Sequence, residues 1–239
     1  MGRRALGVVI FALLFFGVFS SGFAEETPPL FLGDPALSPD GGTLAFEYEG
    51  DIWTVPAKGG EARRLTLSVA FEKRPIFSPD GEWIVFSGTQ YGNLDLFVMP
   101  SKGGRIRRLT YGPASDLACS FSPDGEYVYF YSWGDYRNLS FDLFRIPFEG
   151  GTPVRVAWAF RSNCYSAAVS PDGSKVCFVS RSSNSSWSRR GFRGPSTAEL
   201  YLADNTVPFS NLRRLTRNMC QDFLPQWTPD GKALWFASD

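Results

Sequence analysis

The chain has 239 residues, with 24 Lys and Arg balancing 24 Asp and Glu, and it contains no histidine. Zero formal net charge without any block of like charge gives no reason to expect a nucleic-acid partner. The missing histidine excludes Ser-His-Asp and Cys-His nucleophile systems and metal hydrolases that use His ligands. An apolar content of 44%, 16% aromatics, 24 Gly and 17 Pro fit a β protein with many turns and enough core to bury. No cofactor or metal site is expected.

Residues 1–24 read as a secretory signal peptide. Arg3-Arg4 form a basic start, Ala5 to Phe19 form the apolar stretch, and Gly22-Phe-Ala24 places small residues at the cleavage positions. The apolar run is short for a membrane span, so no stable span is expected after cleavage. The mature chain, 25–239, should begin near Glu25 and be exported, either periplasmic or extracellular. Loss of Arg3 and Arg4 takes 24 basic residues to 22 against 24 acidic, a net −2.

From there one cassette recurs five times. A Ser/Thr-Pro-Asp-Gly turn opens at Ser38, Ser78, Ser122, Ser170 and Thr228. A Phe stands eight residues on, at Phe46, Phe86, Phe130, Phe178 and Phe236. An acid with an aromatic two residues later follows in Asp51-Ile-Trp53, Asp95-Leu-Phe97, Asp142-Leu-Phe144 and Glu199-Leu-Tyr201. Gly-Gly pairs come next at Gly59-Gly60, Gly103-Gly104 and Gly150-Gly151, then Arg-Leu-Thr at Arg64, Arg108 and Arg214. Turn-to-turn periods of 40, 44, 48 and 58 residues indicate an all-β fold, a β-propeller of four-stranded blades. Cassettes start near 35, 75, 119, 167 and 225, giving about four complete blades and a truncated fifth, a fragment of a six-bladed ring. Pro presets the first corner of a type I turn, Asp suits the second, and Gly takes the left-handed position beyond. Asp40, Asp80, Asp124, Asp172 and Asp230 are therefore read as turn formers and not as metal ligands.

The growth of the repeat is confined to one place. The gap from the Phe to the acid is 5, 9, 12 and 21 residues, while the other spacings barely change. That gap is the loop between the second and third strands, which shares a rim with the link to the next blade. The elaborated rim is the expected working face. Its longest loop, Arg181 to Ala198, carries Arg181, Trp187, Arg189, Arg190, Phe192 and Arg193. Glu72, Lys73, Arg74, Asp116, Arg161 and Asp222, at the openings of blades, should lie on the same rim. Guanidinium groups can grip carboxylates and aromatic rings can cover side chains, so these residues are candidates for polypeptide contact. The serines of 182–188 are loop residues. Cys119 and Cys177 fall in strands, and Cys164 and Cys220 in links between blades. This scatter suits separate buried thiols better than two disulfides, and there is no CxxC pair.

The stretch Gly50-Asp-Ile-Trp-Thr-Val-Pro-Ala-Lys-Gly-Gly-Glu-Ala-Arg-Arg-Leu-Thr66, after Pro35-Ala-Leu-Ser-Pro-Asp-Gly41, resembles the N-terminal blades of tricorn protease and its secreted bacterial relatives. Trp187-Ser-Arg-Arg-Gly-Phe-Arg-Gly-Pro195 resembles the long fourth-blade loop of those relatives. The likeness covers residues 30–239; the general cassette alone is shared with TolB and with propellers of prolyl-oligopeptidase-type enzymes. The resemblance implies a non-catalytic propeller of an extracytoplasmic serine endopeptidase that guides or binds peptide or unfolded protein. It also implies a downstream PDZ-type module and a peptidase domain as partners. No catalytic residue of that family falls within this chain. The alternative is a TolB-like periplasmic protein-binding propeller with no peptidase domain.

Overall fold

A computed structural model describes residues 32–133, 141–157, 163–181, 198–217 and 221–238. These form five antiparallel sheets in sequence order. The first contains β1 (Leu32–Leu37), β2 (Thr43–Tyr48), β3 (Asp51–Pro56) and β4 (Arg63–Arg64). The second contains β5 (Glu72–Phe77), β6 (Trp83–Gly88), β7 (Asp95–Pro100) and β8 (Arg107–Arg108). The third contains β9 (Ser115–Phe121), β10 (Tyr127–Trp133), β11 (Asp142–Pro147) and β12 (Val154–Ala157). The fourth contains β13 (Asn163–Val169), β14 (Lys175–Arg181), β15 (Glu199–Asp204) and β16 (Ser210–Arg214). The fifth pairs β17 (Asp222–Trp227) with β18 (Leu234–Ser238). Each four-stranded sheet runs up and down in chain order, and the first strands of successive sheets contact one another. These are propeller blades with the first strand innermost.

The Ser/Thr-Pro-Asp-Gly segments close the first hairpin of each blade as their residue types dictate. In the first, Gly41 N–H donates to the Ser38 carbonyl at 2.8 Å and Thr43 N–H to Ser38 Oγ at 2.9 Å. Gly41 sits at φ +70°, the left-handed region that glycine enters without strain. Successive turns nest: a methyl group added at Gly125 would stand 3.8 Å from the Pro79 ring of the preceding blade.

The two aromatic positions of the cassette face each other across strands. Phe86 pairs with Phe97, Phe130 with Phe144 and Phe178 with Tyr201. Their rings stack at centroid distances of 5.7, 5.6 and 6.0 Å. Such pairs add about 0.5–1.5 kcal/mol each beyond burial. Because a blade is covered on both faces, strands such as β6 are buried nearly throughout and read as continuous apolar runs. Separate clusters fill the spaces between blades: Ile52, Phe86 and Met99 between the first two, Val98, Leu109 and Phe130 between the second and third.

The first strands begin at residues 72, 115, 163 and 222, three or four residues ahead of the cassette starts read near 75, 119, 167 and 225. Cys164, expected in a link, lies inside β13 and is buried. Cys119, Cys164 and Cys177 are thiols, and burial pushes Cys164 and Cys177 up to about 12. Cys220 lies outside the described residues.

Candidate functional site

The elaborated rim is built on the seams between blades. Each third strand opens on an acid, and each fourth strand returns an arginine to it. The ion pairs are Asp51–Arg64, Asp95–Arg108 at 2.8 Å, Asp142–Arg155 at 2.7 Å and Glu199–Arg214. In three blades the hydroxyl after the arginine locks the same corner. Thr66 Oγ1 accepts from Ile52 N–H and Thr110 Oγ1 from Leu96 N–H, both at 2.9 Å, and Thr216 Oγ1 accepts from Leu200 N–H at 3.0 Å. The third blade has Ala157 there instead.

The next blade then brings a second acid to the seam. Glu72 N–H donates to the Gly50 carbonyl at 2.8 Å, Asp116 N–H to Leu94 at 2.7 Å and Asp222 N–H to Ala198 at 3.0 Å. Cys164 N–H makes the same bond to Phe141 at 2.8 Å, so a thiol replaces the carboxyl at that one seam. Glu72 and Asp222 are 0% exposed and Asp116 is 7% exposed. Gln90 donates to Glu72 Oε1, while Glu72 Oε2 is buried with no hydrogen-bond partner among the described residues. Burial pushes the Glu72 carboxyl up to about 7, with the negative Asp51 adding to the shift. Burial likewise pushes Asp116 up to about 6, against the hydroxyls of Ser132 and Thr110. Asp95 is raised by burial and pulled back by Arg108. The first two seams thus each hold one arginine-paired acid beside a second that resists ionisation.

Arg74 occupies a different environment. It lies on β5 at φ +55°, one of four non-glycine left-handed residues at the same place in first strands, with Asp34, Ser166 and Leu224. Asp34 Oδ2 accepts from Arg74 N–H at 3.2 Å, and the guanidinium lies 5.2 Å from the Tyr131 ring centroid. The inner wall therefore carries backbone strain at these residues.

Register brings Glu72 opposite Gly88, Asp116 opposite Ser132, Asn163 opposite Arg181 and Asp222 opposite Ser238, all at the second-strand ends where the variable loops leave. Asp116 and Asp222 nevertheless face the seams and not solvent. Trp187, Arg189, Arg190, Phe192, Arg193 and Arg161 lie outside the described residues. The seam ion pairs join the acid and the arginine that recur in the sequence cassette, 13 residues apart from Asp51 to Arg64, Asp95 to Arg108 and Asp142 to Arg155, and they lie outside the set of candidate contact residues. The rim also exposes apolar side chains: Leu67 at 82%, Val69 at 111%, Phe71 at 49%, Tyr91 at 62%, Tyr111 at 73% and Trp133 at 47%. Among the described residues no group of acids and cysteines could hold a metal ion, and no helix is long and apolar enough to cross a membrane.

Blades whose third and fourth strands are tied by an acid–arginine pair, with the first strands inside, define a β-propeller whose variation lies on one rim. Residues 29–239 match the family described as the tricorn protease N-terminal beta propeller domain, and the chain belongs to that family. It is 47% identical over 57 residues to the uncharacterized peptidase YuxL of Bacillus subtilis (strain 168), 22% of this chain and 9% of that protein. It is 32% identical over 71 residues to tricorn protease homolog 1 of Streptomyces coelicolor (strain ATCC BAA-471 / A3(2) / M145), 30% of this chain and 6% of that protein. The chain thus matches less than a tenth of the length of either curated relative. The crystal structure of TolB from Acinetobacter baumannii shares the fold, with a TM-score of 0.66 and 22% identity over 85% of this chain and 47% of that one.

Proposed function

We propose that the chain is a non-catalytic propeller region of an extracytoplasmic tricorn-like serine peptidase, and that its elaborated rim binds or guides polypeptide. The observation that carries this reading is the set of exposed apolar side chains on that rim, Leu67, Val69, Phe71, Tyr91, Tyr111 and Trp133. Scattered exposed apolar residues are ordinary, but a group gathered on the variable rim is what an unfolded chain can adhere to. The arginines of the long loop, Arg181, Arg189, Arg190 and Arg193, would add grips for acidic groups, and Trp187 and Phe192 would add ring faces. Arg74 and Arg161 extend the contact, and the seam acids Asp116 and Asp222 hold the blades that carry it. Membership of the tricorn propeller family supports a peptidase as the setting. A PDZ-type module and a peptidase domain are the proposed partners in the parent protein. The absence of histidine from the chain agrees with chemistry being done elsewhere.

The test is direct binding. A fluorescent, reduced and carboxymethylated polypeptide should bind the purified chain, followed by anisotropy. Replacing Leu67, Val69 and Phe71 with Ser, or Arg189, Arg190 and Arg193 with Ala, should weaken binding about tenfold with the melting temperature unchanged. Binding unaltered in both variants would overturn the rim assignment. The purified chain should hydrolyse neither casein nor a peptide library, and turnover that survives repurification would refute the non-catalytic reading.

A further inference from the structure

The opposite rim, where the Ser/Thr-Pro-Asp-Gly turns nest, carries a cleft of about 420 Å³ between the second and third blades. Three aromatic side chains line it: Trp83 at the start of β6, Phe121 at the end of β9, and Phe148 just after β11. Phe148 meets Trp83 at a centroid distance of 5.7 Å and an angle of 62°, and Phe121 at 5.8 Å and 51°. Asp80 and Asp124, from the two adjoining turns, complete the lining.

The combination is particular to this seam. The same three positions are Thr43, Phe77 and Ser101 between the first and second blades, and Tyr127, Val169 and Asn205 between the third and fourth. Their equivalence is set by backbone bonds: Ser101, Phe148 and Asn205 donate N–H to Glu82, Glu126 and Ser174. Turn formation accounts for the aspartates, and Phe121 belongs to the apolar cluster between these two blades, with Trp83 and Phe148 half-buried against it.

Both carboxylates are half committed. Oδ1 of Asp80 accepts from Ser78 Oγ and Glu82 N–H, and Oδ1 of Asp124 accepts from Ser122 Oγ and Glu126 N–H. These hydroxyl bonds hold both carboxyls below their ordinary range, so each stays charged in mild acid. Among the described residues neither aspartate has an ion-pair partner. Arg145 exerts a weak pull on Asp124 but lies over the Tyr127 ring at 4.2 Å. Arg107 lies 5.6 Å from the Phe148 centroid and is held by the carbonyls of Phe148 and Glu149.

On the opposite rim the fold's own arginines bridge a ring to a carboxylate, whereas here Arg107 covers Phe148 with no ion pair to Asp80 or Asp124 among the described residues. Arg64 joins Trp53 to Asp51, and Arg108 joins Tyr91 and Tyr111 to Asp95. From this cleft of rings and uncommitted carboxylate oxygens we infer a recognition site for an arginine side chain presented by another polypeptide. A planar guanidinium stacks on aromatic faces while its N–H groups reach carboxylate oxygens, and both features are offered together here.

The probe is the tripeptide acetyl-Gly-Arg-Gly-amide, titrated into the full chain while the indole N–H resonance of Trp83 is followed by NMR. A saturable shift is expected, with the citrulline analogue, equal in shape but neutral, binding at least tenfold more weakly. The variant Asp80→Asn/Asp124→Asn keeps an oxygen to cap each turn, so it should stay folded at a somewhat lower melting temperature and lose about tenfold in affinity. Phe148→Leu should lose a similar factor by removing a ring face. No saturable shift at Trp83, equal affinity for the citrulline peptide, or unchanged affinity in both variants would each overturn the proposal.

Discussion

At the scale of single residues, the seam carboxyls make stability depend on pH in an unusual direction. Glu72 has an ordinary value of 4.5 and is pushed up to about 7 in the fold, chiefly by burial. Between those values the folded chain holds a proton that the unfolded chain has released, so stability falls as pH rises through that window. Asp116 acts likewise between 3.8 and about 6. The turn aspartates act oppositely: Asp172 is lowered from 3.8 to about 2 by the Ser170 and Ser174 hydroxyls, and its contribution is lost as pH falls through that range. The melting temperature should therefore be highest near about pH 4 and decline toward neutrality. Glu72→Gln should flatten that decline and raise the melting temperature by a few degrees at about pH 8. An unchanged profile would show that Glu72 does not set it. The acid–arginine pairs make a second prediction. Arg108→Ala strands Asp95, whose side chain is 0% exposed, and should cost about 3 kcal/mol in urea unfolding. Arg213→Ala, at an exposed residue with no ion pair among the described residues, should be nearly neutral.

At the scale of elements, glycine substitutions separate backbone strain from crowding. Gly125 has φ +75°, and an added methyl would meet only Pro79 at ordinary contact distance. Gly125→Ala should cost about 1 kcal/mol, the penalty of a left-handed residue alone. Gly50 has φ +81°, and its added methyl would stand 3.1 Å from the Phe71 ring, so Gly50→Ala should cost about 2 kcal/mol. Urea midpoints of the two variants measure the difference; equal losses would show that the Phe71 ring yields freely. These turns were legible in the sequence because their chemistry is local: Ser, Pro, Asp and Gly each act within about five residues. The strand starts were less legible. First strands open on or beside Glu72, Asp116 and Asp222, residue types that strands usually avoid, and only burial in a seam contributed by the preceding blade explains them. The place of Cys164 was hidden for the same reason, since the third blade ends in Arg155-Val-Ala157 without the Arg-Leu-Thr signal that marks the other seams. The Trp83–Phe121–Phe148 cleft could not be read at all, because its rings come from two blades and converge only after the turns nest.

At the scale of the whole molecule, each blade depends on a neighbour to cover its faces. The recurring Phe measures this. It is 7% exposed or less at Phe46, Phe86, Phe130 and Phe178, but Phe236 in β18 is 43% exposed and the adjacent Trp235 is 71% exposed. The residue type and its place in the cassette are the same, so the difference lies in what stands beside the sheet. In the fifth sheet β18 has one described partner, β17, and its other edge carries no described strand. An apolar sheet face that stays exposed is a surface to which other chains adhere. The chain should therefore self-associate as its concentration rises, seen as a growing mass in light scattering coupled to size exclusion. Trp235→Ser with Phe236→Ser should return it toward the monomer while leaving the first four blades folded, because neither residue belongs to the clusters between those blades. A wild-type chain that stays monomeric across the same concentrations would show that this face is not adhesive.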